Sequence, residues 1–259
     1  MTLSSPEIED LRTAKLLLET PGLAAKISNL VGTPIEKGFA LLPKKWHAVV
    51  NDATRKSIET ALDVALWTMD HRQAESPSNW WHKLAVGTTG AAGGAFGLPA
   101  LTIELPVSTT IMLRSIADIA RSQGENLKLP EARLECVQVL ALGGASKSDD
   151  GSETGYFAAR AAMAKAVSDA VQHLVKNGLS QKGAPVIIRL IALIASRFSI
   201  VVSEKAVAQA VPVLGAFGGA VINTLFIDHF QDMGKGHFIV RRLERAHGPE
   251  EVKRIYKEL

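Results

Sequence analysis

The sequence predicts an all-α protein, a single multi-helix bundle built around two central glycine-rich apolar helices. Three observations carry that expectation. The 259-residue chain is 47% hydrophobic but only 5% aromatic, so its apolar mass is mostly aliphatic and suited to helices packed on helices. Apolar residues recur at helical spacing in most segments, and no stretch alternates with the period of a strand. Two long segments, 84–103 and 206–227, contain no Asp, Glu, Lys or Arg at all, and each is long enough for a central helix.

Taken in order, "SSPEIEDLRTAKLLLE" opens with Ser4 and Glu7 at capping-box spacing, or with Ser5 as cap and Pro6 at the first helical position. Ile8, Leu11 and Leu18 then follow helical period. Pro21-Gly22, Gly32-Thr33-Pro34 and Pro43 cut the chain into short pieces. A long amphipathic pattern resumes over 44–70, with Val49, Ile58, Leu62, Ala65 and Leu66 on one stripe. "ESPSNWWH" reads as a loop leading to Trp80 and Trp81 and into the first uncharged run. Between the runs the pattern gives a helix over 130–142, a polar loop "GGASKSDDGSETG", a small-residue helix over 156–177 and an apolar helix "APVIIRLIALIASRF". The tail reads as one or two basic amphipathic helices broken at Gly248-Pro249. Residues 1–75 are expected to form an N-terminal helical segment and 76–259 the core, as one continuous domain.

Several function classes are disfavoured at once. A net charge of +3 is too small an excess for a dedicated nucleic-acid binder. The single cysteine, Cys136, sits in "LECVQVL" and reads as an inert buried thiol in a reducing compartment. The first residues carry acidic groups and no apolar core, unlike a secretory signal, so a cytoplasmic setting is expected. Neither G-x-x-x-x-G-K-[ST] nor G-x-G-x-x-G after a strand occurs, which argues against nucleotide binding.

The first run contains "GTTGAAGGAFGLPAL". Gly87, Gly90, Gly94 and Gly97 step by three, four and three, which puts them on one helix stripe where a second backbone can approach. Pro99 and Pro106 are expected to bend or break that helix near Glu104. "GAAGGAF" at 90–96 has an echo in "GAFGGAV" at 215–221, with Gly215 and Gly219 as the matching packing positions. The same offset carries Glu104 onto His229, beside Asp228. A true repeat and a chance match of small residues both remain open. So do three settings for the runs: a membrane-spanning hairpin, buried core helices, and conditional membrane association.

Glu104 is the only charge between Lys83 and Arg114. A buried carboxylate in that position must be paired, protonated or functional; Arg114, Arg160, Arg189 and Arg197 are the cations considered for it. Downstream, Asn223, Asp228, His229, Asp232 and His237 crowd into fifteen residues. Asp228, His229, Asp232 and His237 suit a divalent metal by chemistry, although their spacing matches no ligand signature and they equally suit hydrogen bonds between helices. Glu104, Asp228 and His229 are the catalytic candidates of a metal-dependent hydrolase acting on peptide or lipid. Asp149, Asp150 and Glu153 in the polar loop offer oxygen ligands off the EF-hand pattern, or helix caps. Trp46, Trp80 and Trp81 with neighbouring lysines fit either a headgroup anchor or a core, and Phe238, Arg241, Arg242 and Arg245 in the tail favour surface association.

Finally, "LALGG" (140–144), "SDDGSETGYFAARAAMAKAV" (148–167), the long block 196–245 and the glycine-rich segment ahead of Glu104 resemble the EcsC protein family of bacteria. The resemblance covers most of 80–245 and little of 1–75. It implies a helical bacterial protein, associated with the membrane, whose namesake is encoded beside an ABC transporter; it implies no established activity and no catalytic residues. The expectation is therefore a membrane-associated or lipid-binding protein, accessory to ABC transport or secretion, with membrane lipid or a membrane protein as partner and no nucleic acid or nucleotide. It would be cytoplasmic, peripheral to or inserted in the inner membrane. The alternatives are the metal-dependent hydrolase and a soluble interaction scaffold.

Overall fold

A computed structural model describes residues 3–19, 22–31, 42, 44–68, 97–143, 155–178, 184–210 and 218–259. Among these residues all regular structure is helical, in nine helices. The first, α1 (Ser5–Glu19), starts as the capping spacing predicts. The Glu7 carboxylate accepts from both the Ser4 backbone N–H (2.8 Å) and the Ser4 hydroxyl (2.7 Å), and the Ser4 carbonyl receives the Ile8 N–H. Gly22 precedes α2 (Leu23–Val31), whose first turn takes a cap from a distant helix, the Ala24 N–H donating to Glu204 at 3.1 Å.

The long amphipathic pattern becomes α3 (Trp46–Thr68), with Val50, Ala53, Ile58, Leu62, Ala65 and Leu66 buried on one stripe. Trp46 is buried in the same core, which settles its role as packing. The helix α4 (Gly97–Ser122) runs without a break through Pro106, against the expected interruption near Glu104. Pro99 lies in the first turn, where backbone N–H groups need no helical partner. Pro106 forfeits one ladder hydrogen bond, and its own carbonyl accepts from the Thr110 hydroxyl at 2.8 Å. Packing against α3 and α8 holds the rest of the helix in line.

Pro130 opens α5 (Pro130–Leu142), in which every residue from Ala132 to Ala141 is buried. No amphipathic stripe exists because α3, α4, α6, α7 and α8 all pack on it. Its buried Arg133 donates to the Leu66 carbonyl at the end of α3 (2.8 Å) and to the Leu127 carbonyl (2.6 Å), satisfying acceptors that helix ends leave unpaired. Next come α6 (Gly155–Asn177) and α7 (Pro185–Ala210), close to the predicted limits. The tail is α8 (Gly218–His247) and α9 (Pro249–Glu258), separated where the sequence predicts, at Gly248 with φ of +86°.

Two apolar cores result. The larger joins α2 to α8, and the smaller joins Leu3 and α1 with Tyr156 and Phe157 of α6, the second half of α8, and α9. Helices from 1–75 and from beyond share both. Gly236 lets α1 touch α8, since a Cβ there would lie 2.7 Å from Leu18 and 3.0 Å from the Ala14 carbonyl. Gly234, against Ile116, is a second close-approach point within the unbroken α8. Gly97 and Gly219 fall in the first residues of α4 and α8, while Gly87, Gly90, Gly94 and Gly215 lie outside the described residues. Trp80, Trp81, Asp149, Asp150 and Glu153 lie outside them too.

Among the described helices α7 is long and apolar enough to cross a membrane by length and composition, over Pro185–Gln209 with mean hydropathy 2.1. Its polar groups nevertheless tie it into the bundle. Arg197 donates to the Ala141 carbonyl at 3.0 Å, Glu204 caps α2, and Lys205 pairs with α4.

Candidate functional site

Two clusters of buried polar groups stand out. The first lies where α4 begins, α7 ends and α8 begins. Glu104 accepts from the Lys205 ammonium at 2.8 Å and from the Gln209 amide at 3.3 Å, with a further hydrogen bond to Asn223. Lys205 is 0% exposed, and its ammonium also sits over the Phe226 ring at 4.5 Å. Burial pushes the Glu104 pKa up, but the Lys205 charge and the three hydrogen bonds outweigh it, so the carboxyl stays below its usual range and ionised. Burial also pulls the Lys205 pKa down, against the opposing pull of Glu104. The Asn223 side-chain oxygen is buried with no hydrogen-bond partner.

The position of this pair in the sequence matters more than its strength. Glu104 directly follows the uncharged run 84–103, and Lys205 directly precedes the uncharged run 206–227, which itself contains Gln209 and Asn223. The ion pair therefore clips the ends of the two runs together. Ile103 and Val221, one from each run, are 73% and 43% exposed.

The second cluster joins α5, α6 and α8. The Tyr156 hydroxyl lies 3.0 Å from His237 Nδ1, and His237 Nε2 lies 3.1 Å from Glu135. A carboxylate only accepts, so His237 carries its proton on Nε2 and donates it to Glu135, while Nδ1 accepts from Tyr156. Arg160 donates to the Tyr156 oxygen at 3.3 Å and grips Glu244 with both guanidinium nitrogens, at 2.7 and 2.9 Å. Arg241 completes the chain, 3.1 Å from Glu135 and 2.9 Å from Glu125. Burial pushes the His237 pKa down, keeping the ring neutral. It pushes Glu135 up, but His237 and Arg241 hold that carboxyl below its ordinary range. Burial also raises the Tyr156 pKa, so the phenol keeps its proton.

The sequence candidates fall apart across these clusters. Glu104 is neutralised by Lys205, while Arg160 goes to Glu244 and Arg197 to the end of α5. His229 is buried, and its Nε2 lies 3.0 Å from the Gly143 carbonyl. Burial lowers its pKa, and Gly143 is required for the approach, because a Cβ there would lie 2.7 Å from that nitrogen. Asp228 is exposed, Asp232 pairs with Lys26 at 2.9 Å, and His237 belongs to the relay. Among the described residues no group of three or more His, Cys, Asp or Glu is placed to hold a metal ion. The reason is helical geometry: 100° and 1.5 Å per residue scatter these four side chains around α8, and six residues put His229 about 9 Å along the axis from the Asn223 that touches Glu104. No hydrogen bond joins Glu104, Asp228 and His229 among the described residues.

The basic tail is likewise committed inward. Arg241 is buried in the relay, Arg242 pairs with Asp10, and Arg245 pairs with Glu125. Phe238 is fully buried. Cys136 is a buried free thiol whose pKa burial drives upward, as its apolar context predicts. Lys205 and Glu135 were the residues that periodicity passed over. The available signals were a lysine abutting an uncharged run and a carboxylate inside an apolar helix.

The model of the EcsC protein family matches residues 7–243. The match includes α1, α2 and α3, reaching well before the segments that carry the visible resemblance, and stops short of α9. No curated protein and no solved structure matches the chain.

Proposed function

The chain belongs to the EcsC protein family, and from that membership and its fold we propose that it works at a membrane surface, meeting lipid with one end of the bundle. The observation that carries this reading is the convergence of both uncharged runs at the Glu104–Lys205 pair, with Ile103 and Val221 exposed beside it. An end of this kind presents aliphatic side chains to the headgroup boundary, and the opposite end, rich in ion pairs between α1, α8 and the turn after α4, stays in water. Apolar contact contributes about 25 cal/mol per Å² removed from water, so a modest footprint gives reversible binding.

The buried pair has a definite part in this. It lets two segments without charges of their own end inside the protein, with the terminal charges cancelled before they reach the lipid boundary. Such a surface suits a lipid or the lipid-exposed flank of a membrane protein, which fits an accessory role in transport or secretion.

Flotation of the full chain with vesicles of phosphatidylglycerol and phosphatidylcholine tests the reading. Protein is expected in the floating fraction, and the Ile103→Glu/Val221→Glu variant is expected to lose about tenfold or more in vesicle affinity, since two charges must be stripped of water at the boundary. Retention of the unmodified chain in the soluble fraction at every lipid concentration overturns it and favours the scaffold.

A further inference from the structure

The helix α9 lies beyond the family match and is joined to the bundle through one residue. Gly248 alone separates it from α8, at φ of +86°, and no atom comes within 4 Å of the place a Cβ would occupy there. A glycine in open space leaves that joint free to change its angle. The ion pairs of Arg254 with Glu251 and Glu258, each 2.8 Å, are made within α9 itself, so separation from the bundle breaks neither. The seat of α9 is apolar: Val252 and Tyr256 are fully buried in one cluster with Leu11, Tyr156, Phe157 and Leu243.

That seat rests on the relay. The Tyr256 ring stacks on Tyr156, with centroids 6.1 Å apart, and meets Phe157 edge-on at 5.1 Å. Tyr156 is also the donor to His237 Nδ1, and its oxygen accepts from Arg160. While the imidazole is neutral each proton has an acceptor, the phenol's on Nδ1 and that of Nε2 on Glu135. A proton added at Nδ1 makes His237 a donor on both nitrogens. The Tyr156 oxygen then meets two donors, His237 and Arg160, and its own O–H loses the acceptor it had. Tyr156 and His237 are 5% and 0% exposed, so solvent does not replace that acceptor while α9 is seated, and a buried hydroxyl left unpaired is destabilising.

We propose that α9 is an acid-released strap, held by the stack of Tyr256 on Tyr156 and let go when His237 takes up a proton. Undocking lets Tyr156 turn outward, where its hydroxyl reaches water and the surplus donor is relieved. From α5 Glu135 faces His237, from α6 Tyr156 and Arg160, and from α8 itself Arg241. Of these only Glu135 favours the charged ring, and Arg241 already engages it. The neighbouring charges on other elements are committed elsewhere: on α1, Glu7 to His247, Asp10 to Arg242 and Lys15 to the Tyr256 carbonyl; on and after α4, Arg121 to Asp118 and Glu125 to Arg241 and Arg245; on α9, Lys253 lies over Phe157. Burial holds the His237 pKa below its ordinary 6.5 while α9 is seated. A ring opened to water returns toward that value, so α9 stays shut above about pH 6.5 and opens increasingly below it. Release uncovers the Tyr156 and Phe157 rings. The device needs no lipid and is independent of the membrane reading.

Hydrogen exchange of the full chain, read by mass spectrometry between pH 7.5 and 5 without lipid and corrected for the intrinsic pH dependence of exchange, tests it. Peptides from α9 should be less protected than those from 112–120 in α4 at every pH, since a strap opens without global unfolding. Their protection should fall below pH 6.5 by up to about tenfold per pH unit, the limit for one proton taken up on opening. Tyr156→Phe keeps the stacked ring and removes the hydroxyl, while His237→Gln removes the titrating group; in each variant the α9 protection should lose that slope, whatever its level. Protection of α9 that does not change with pH, protection equal to that of α4 at every pH, or the same slope retained in either variant overturns the proposal.

Discussion

The two buried polar clusters solve the same electrostatic problem in opposite ways. At the junction of α4, α7 and α8, one lysine and one glutamate neutralise each other with two amides in support. In the relay of α5, α6 and α8, three carboxylates, two arginines, a histidine and a tyrosine share the load; Glu135, Glu125, Arg160 and Arg241 each have more than one partner, and Glu244 is held by two bonds to Arg160. A single pair in an apolar setting depends wholly on both members, whereas a network tolerates the loss of one. The first arrangement suits a clip between two segments that must end together. The second suits a fixed seat for α9.

That contrast breaks most visibly at Lys205. Lys205→Met leaves Glu104 as a buried carboxylate without a cation, and should cost about 3–5 kcal/mol, read as a fall in the urea midpoint. Adding Glu104→Gln to it should recover a substantial part, because no uncompensated charge is then buried. A double variant as unstable as the single one contradicts the pairing. Glu135→Gln in the relay should cost less, about 1.5–3 kcal/mol, since the new amide oxygen still accepts from His237 and Arg241 keeps Glu125 and Glu131.

The pH dependence separates the clusters further. His229 and His237 have pKa values lowered from 6.5 by burial. An unfolded chain therefore binds protons more readily than the folded one below that pH, and the stability these rings contribute, full above about 6.5, is lost as pH falls. Glu135, Arg160, Arg241 and Tyr156 all face His237, and only Glu135 favours its protonated form. Glu104 is also lowered, from 4.5, so its contribution persists above that pH and is lost only below it. Unfolding midpoints should drop between pH 6.5 and 5 in the unmodified chain and less steeply in His237→Gln, with His229 accounting for the remaining slope. An unchanged slope in that variant places the titration elsewhere.

Much of this fold was legible because helical period, caps and breakers are local. Ser4 with Glu7, Pro130, Pro185 and Gly248-Pro249 all mark helix ends where the structure has them. Pro106 misled because tertiary packing on α4 outweighs one lost ladder bond. The clusters were harder, since Glu104 and Lys205 lie 101 residues apart and His237 and Glu135 lie 102 apart. Composition flags such residues singly and says nothing of who meets whom. Residues crowded in sequence, such as Asp228, His229, Asp232 and His237, were dispersed by the turn of the helix they share. The smallest effect is again local: Ser4→Ala should lower stability by about 1 kcal/mol, a shift in the urea midpoint with no change in slope.

The proposed membrane contact places lipid at the end of the bundle clipped by Glu104 and Lys205. Ile103 lies at that end, and Leu129, 53% exposed, follows the far end of α4, whose last residue, Ser122, is about 28 Å from Ile103 by helical rise. Cys136 is buried, so Ile103→Cys and Leu129→Cys can each be labelled with an environment-sensitive bimane. On adding phosphatidylglycerol vesicles, emission from position 103 should shift to the blue while position 129 stays unchanged. No shift at 103, or a shift at 129 alone, contradicts the account.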